Sequence, residues 1–162
     1  MMNTQSPTLA QASPAEIQTM RHLIEKARQA SNEPGKAGIA AGLMRDGVML
    51  ADGANHVHLD TDPTQHAEIV AIRRAAQVAG RADLSDCTLL STLQPCEMCL
   101  SAARFAGITR IIFAARQENV AEKYFVFPHL TLDDFKSHDR PFDVIGGVLE
   151  SDVLDLYRDG SE

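Results

Sequence analysis

No run of about 18 apolar residues occurs in the chain, so nothing in it reads as a membrane-spanning helix. Cysteine is scarce. Three thiols in 162 residues are an odd number and too few for a disulfide scaffold. No basic stretch followed by an apolar core opens the sequence, so no secretory leader is visible. Together these absences point to a reducing compartment, and the expected location is cytoplasmic. Positive charge is also in deficit: 15 Lys and Arg stand against 22 Asp and Glu, a net charge of -7. A compact acidic domain is a poor default partner for phosphate backbones, so neither nucleic acid nor membrane is the expected partner. What is present is ordinary globular composition, 44% hydrophobic and 23% charged, at a length suited to one domain.

Residues 1–12 are rich in Thr, Gln, Ser and Pro and read as a flexible tail, leaving 13–162 as a single domain. Ser13-Pro14-Ala15-Glu16 is a helix start: Ser13 caps, Pro14 suits the first turn and Glu16 completes a capping box. Ile17, Met20, Ile24 and Ala27 follow at helical spacing, and Asn32-Glu33-Pro34-Gly35 stops the run. Residues 37–45 and 48–54 read as strands joined by an Asp46-Gly47 hairpin turn. A polar loop leads to a helix from His66 that Gly80 ends. Residues 88–92 form a strand, 96–105 a helix closed by Gly107, and 110–115 a strand. Beyond that the pattern weakens to a short helix near 120–124, a strand at 143–148 and a closing helix at 151–158 capped by Ser151. Strands alternating with helices predict an α/β protein whose sheet is covered on both faces.

Two short stretches carry chemistry, His66-Ala67-Glu68 and Pro95-Cys96-Glu97-Met98-Cys99. The second is rare; at average proline usage, chance gives roughly 0.003 such motifs in a chain with this much cysteine. Each sits at a predicted loop-to-helix junction. Cys96 and Cys99, at i and i+3, share one side of a first helical turn, where the positive helix end favours thiolates. One imidazole and two thiolates make a three-ligand zinc site whose fourth position is left to water, brought to a pKa of about 7. Glu68, two residues past the histidine, is free to move a proton from that water to a leaving nitrogen. This is chemistry suited to hydrolysing an amidine-type carbon with loss of ammonia. Two other readings stay open here. A closed structural zinc site would need a fourth ligand from Cys87, His56, His58, His129 or His138, and a redox pair would not need His66 or Glu68. Glu97 is expected to face solvent, and Cys87 to lie at the edge of the sheet.

The pairing of H-x-E with P-C-x-x-C is the described signature of zinc nucleobase deaminases, and the chain resembles the zinc-dependent cytidine/deoxycytidylate deaminase superfamily. DPTQHAEIVAIRRA and LLSTLQPCEMCLSAARFAGITRIIFAAR are similar to the bacterial branch that holds guanine deaminases, tRNA adenosine deaminases and fungal-type cytosine deaminases. The resemblance covers residues 37–115 well. It implies a three-layer α/β/α sandwich around a mixed five-stranded sheet, usually a homodimer with one zinc per chain. It implies that His66, Cys96 and Cys99 hold zinc and that Glu68 shuttles protons. It also implies that Asn55 and the backbone of Ala67 contact the base. Gln94 replaces the usual Glu before Pro-Cys. Asn119 is the nearest match to the Asp by which the guanine branch recognises its base, and Glu122-Lys123-Tyr124 resembles the fungal-type cytosine enzymes. Of Phe125 and Phe127, one is expected to stack in the pocket, with Phe125 taken as the candidate.

These readings converge on a zinc-dependent deaminase of a free nucleobase or a close heterocyclic analogue, cytosine or isocytosine first and guanine next. A tRNA adenosine deaminase and a non-catalytic, zinc-stabilised binding module are the alternatives.

Overall fold

The Ser13 capping box is formed in the computed structural model, which describes residues 12–136, 139 and 141–160. The Ser13 hydroxyl accepts the Glu16 N–H at 3.1 Å, and the Glu16 carboxylate accepts the Ser13 N–H at 3.0 Å. Helix α1 (Pro14–Ser31) follows and buries Met20, Leu23, Ile24, Ala27 and Ala30 on one face. Ala12 is itself buried in the core. The rest of the segment read as a tail lies outside the described residues.

Strands β1 (Ala37–Arg45) and β2 (Val48–Asn55) form the hairpin. Its turn places both Asp46 and Gly47 at positive φ, 53° and 77°, as a two-residue turn matching strand twist requires. Helix α2 (Ala67–Ala79), β3 (Thr88–Leu93), α3 (Glu97–Phe105) and β4 (Arg110–Ala115) alternate next. The sheet runs β2-β1-β3-β4-β5, with β5 (Asp143–Ile145) at its far edge. The β1/β2 and β1/β3 pairs are antiparallel; β3/β4 and β4/β5 are parallel. This is the mixed five-stranded sheet expected, with α1 on one face and α2 and α3 on the other.

The two faces can be read from single residues. Gly42 of β1 lies under Leu23 of α1, whereas Gly53 of β2 lies under Val70 of α2, where a Cβ would come within 2.6 Å of the valine. On β3, Thr92 points to the α1 side and joins the Tyr157 hydroxyl at 2.7 Å, while Ser91 points to the α2 side. Cys87, expected at the sheet's edge, immediately precedes β3, the central strand, and is buried.

After β4 the elements shorten. Single 3-10 turns occupy Gln117–Asn119 and Glu122–Tyr124, and α4 (Leu132–Lys136) was not foreseen. The last strand spans three residues, not the six expected. A 3-10 turn at Glu150–Asp152 precedes α5 (Leu154–Tyr157), whose N-cap is Val153, so Ser151 caps nothing. No described helix is long and apolar enough to cross a membrane.

Candidate active site

The N-termini of α2 and α3 meet beside the carboxyl end of β3, and the residues that begin them are His66 and Cys96. Both occupy N-cap positions in extended backbone. Neither side chain makes the hydrogen bond to helix N–H groups that a cap ordinarily makes. The side chains turn instead toward each other and toward Cys99, one turn into α3.

His66 Nδ1 lies 3.4 Å from Cys96 Sγ and 3.6 Å from Cys99 Sγ, and the two sulfurs are 3.8 Å apart. These separations fit a shared zinc ion. With Zn–S about 2.3 Å and Zn–N about 2.0–2.1 Å, a tetrahedron has S–S edges of about 3.8 Å and N–S edges of about 3.6 Å. Among the described residues the cluster has these three members. Cys87, His56, His58 and His129 do not join it, and His138 lies outside the described residues. The three residues come together because two helix starts, 30 residues apart, both carry ligand-type side chains at their first turn.

The three groups shift one another's titration in opposite directions. The contact with Cys99, with help from His66, brings the Cys96 thiol down to about 4 against the opposing effect of burial. That same contact with Cys96, together with burial and the nearby Glu68 carboxylate, pushes the Cys99 thiol up. The hydrogen bond with Cys96 raises His66. Ligation of a cation by the three groups would require their protons to leave.

Glu68 is 4% exposed and sits on the inner side of α2. Its Oε1 accepts the Ser91 hydroxyl at 2.9 Å, and its Oε2 accepts the Cys99 thiol at 3.4 Å. Burial is the main reason its carboxyl is raised above the ordinary range, and the Cys96 charge adds to it. Ser91 went unremarked in the sequence, although a hydroxyl inside the apolar run TLLSTL was the available signal.

A cleft of about 460 Å³ opens above this group, within the size range of small-molecule sites. His66, Ala67, Glu68, Cys96 and Asn55 all line it. Asn55 ends β2; its Oδ1 accepts the Val57 N–H at 3.0 Å, which leaves the Nδ2 donors for the cleft. The opposite wall comes from Lys123, Tyr124, Val126 and Phe127, and apolar side chains such as Ile39, Leu93 and Met98 fill between. The loop before α2 is pinned by the His56 N–H to the Gln65 carbonyl at 2.9 Å and by Asp62 accepting the Thr64 N–H at 2.9 Å.

Two expected contacts are not brought here. Asn119 lies on the first 3-10 turn, where its Nδ2 donates to Glu150 at 3.0 Å, and it does not line the cleft. Phe125 is buried against a separate small cavity behind α3, and Phe127 is the ring at the cleft. Glu97, expected in solvent, is buried: its Oε1 accepts the Phe127 N–H at 3.3 Å. Gln94 uses its amide to hold the first 3-10 turn, Oε1 accepting the Gln117 N–H at 2.9 Å and Nε2 donating to Gln117 Oε1 at 3.3 Å.

Residues 14–115 match the cytidine and deoxycytidylate deaminase zinc-binding region. A guanine deaminase of Bacillus subtilis is 41% identical over 83 residues, 51% of this chain and 53% of that protein, so the chain spans about half the length of this relative. A tRNA-specific adenosine deaminase of Agrobacterium fabrum is 31% identical over 145 residues, 85% of this chain and 90% of that one. The solved structure of a guanine deaminase from Nitrosomonas europaea has the same fold, with a TM-score of 0.76 at 24% identity over 90% of this chain and 82% of that one. On the strength of the matched region, the full-length relative and the ligand triangle, this chain belongs to the cytidine and deoxycytidylate deaminase zinc-binding family.

Proposed function

We propose that the protein is a zinc-dependent hydrolytic deaminase of a free aminated nucleobase, with guanine and isocytosine, its pyrimidine half, as the first candidates. The observation that carries this is Glu68, a buried carboxylate placed 3.4 Å from one sulfur of the ligand triangle at the floor of the cleft. Cytosine-type bases stood first in the sequence reading; the guanine deaminase relative supports reversing that order.

When bound by His66, Cys96 and Cys99, zinc supplies water acidic enough to serve as a nucleophile near neutral pH. The chain's own groups do the rest. With Cys99 serving as a ligand its thiol proton would pass to solvent, Glu68 Oε2 would be without that donor, and Ser91 would still fix Oε1. Oε2 is then the oxygen left to take a proton from the attacking water, deliver it to the ring nitrogen beside the amino-bearing carbon, and later serve the leaving amine. Burial raises the Glu68 carboxyl, so it holds that proton more readily than an exposed glutamate. The Asn55 amide donates to an acceptor on the base edge, and the apolar walls exclude bulk water. The balance is water plus the aminated ring giving the oxo ring plus ammonia.

Ammonia release from a panel of guanine, isocytosine, cytosine and adenine tests this reading. Turnover of at least one base is expected. Glu68→Gln should lower kcat by about 10²–10⁴-fold while metal analysis still finds one zinc per chain. No turnover of any aminated base overturns it. The homodimer implied by the family is part of the same proposal, and light scattering at twice the chain mass checks it.

A second reading, adenosine within a tRNA loop, is supported by the relative that aligns with 85% of the chain. The net charge of -7 opposes it. Retention on tRNA at physiological salt would favour it.

A further inference from the structure

We propose that Phe127 is the ring on which the substrate base stacks, and that Glu97, lodged between the two cysteine ligands, is the positioning residue that holds it there. This rests on the deaminase reading and names what recognises the flat face of the base.

Phe127 is 57% exposed at the cleft, although a phenylalanine ordinarily hides in a core. Its neighbour Phe125, two residues back, does hide, at 7% exposed. The alternation sends one ring inward to anchor the segment and leaves the other beside the site. The Leu130 N–H closes a turn onto the Phe127 carbonyl at 3.0 Å, so the ring stands on a tight bend.

Glu97 is the first residue of α3, where an acid gains from the helix dipole without leaving solvent. It is nevertheless folded inward to 9% exposed, with Oε2 buried and without a donor among the described residues. Keeping a carboxylate oxygen in that state opposes stability. Among the described residues, its side chain makes one hydrogen bond, accepting the Phe127 N–H at 3.3 Å. Because Glu97 directly follows Cys96, that bond references the position of the ring to the helix end that carries the ligands. A flat heterocycle entering the cleft meets the ligand triangle at its reacting edge and the Phe127 ring at its face, and aromatic stacking favours any planar base.

The test combines kinetics with a spectroscopic probe. Phe127→Ala should raise KM roughly tenfold, as loss of base stacking does elsewhere, with kcat changed less than threefold. Phe127→Tyr, which keeps a ring to stack on, should raise KM less than Phe127→Ala does. Glu97→Ala should reproduce the rise in KM, Glu97→Gln, which keeps an acceptor oxygen, should restore it, and Glu97→Ala should add little on top of Phe127→Ala. Zinc should remain at one per chain throughout. The chain has no tryptophan, so Phe127→Trp in a Glu68→Gln background installs a single indole whose emission should respond to guanine or isocytosine. An unchanged KM in Phe127→Ala, an indole blind to both bases, or independent, multiplying effects of the Glu97 and Phe127 changes would overturn the proposal. Absent ammonia release by the wild type would instead overturn the deaminase reading, so the two failures are distinct.

Discussion

The stretch up to residue 115 and the stretch after it are built differently. The first uses an 18-residue helix, strands of nine and eight residues and a 13-residue helix. The second uses three-residue turns, helices of five and four residues and a three-residue strand. All three candidate zinc ligands, Glu68 and Asn55 come from the first; Lys123, Tyr124, Val126 and Phe127 come from the second. The proposed bond-breaking groups stand on the ends of long packed elements, which fix them tightly. The facing wall stands on short segments held by a few hydrogen bonds, such as the Ala121 N–H to the Tyr157 carbonyl at 3.0 Å. Such a division lets the substrate-facing wall vary while the reactive groups keep their geometry.

Substitutions in the two stretches should therefore part company. The largest effect is expected from Cys99→Ala, which removes one of three ligands. Zinc affinity should fall by more than about 100-fold, the upper end for losing mere supporting residues, and turnover should vanish with it. Metal titration reads this, and Asn119→Ala in the second stretch should leave it untouched. Next is Gly53→Ala, whose Cβ would press on Val70 within 2.6 Å and on the Ala71 nitrogen at 3.1 Å. Overpacking of this kind costs about 1–3 kcal/mol. Because it shifts the helix that carries Glu68, kcat should drop along with the denaturation midpoint. The smallest is Glu150→Gln. Burial pushes the Glu150 carboxyl up, but hydrogen bonds from Arg116 and Asn119 outweigh it and leave it below the ordinary range. Its stabilising contribution, about 1 kcal/mol, is complete above the unfolded glutamate value of about 4.3 and is lost as pH falls through the lower folded value. The Tm gap between variant and wild type should close on acidification, with little change in zinc content.

The same divide governed what could be read from the residues alone. The Ser13 box, the Asp46-Gly47 turn and the ends of β1 were legible because each rests on local rules that tertiary packing did not overturn. The clustering of His66, Cys96 and Cys99 was legible because the motif states its own geometry. Ser91 was not, since only the folded sheet brings it under α2, 23 positions away from Glu68. The inward turn of Glu97 follows from a strap that packs over the helix start, which no local pattern announces. Choosing Phe125 over Phe127 failed for a related reason. Alternation shows that two such rings point opposite ways, and only the third dimension says which way is in. After residue 115 the segments are shorter than a period of either helix or strand, so periodicity has nothing to measure.

The two helices that begin at His66 and Cys96 lack side-chain caps because those side chains are turned to one another. A zinc ion held by His66, Cys96 and Cys99 would tie down both first turns. Stripping it should fray residues 66–70 and 96–100 together, visible as faster amide exchange there while the sheet stays protected. Acquiring the metal and completing the fold at these two ends are then a single equilibrium.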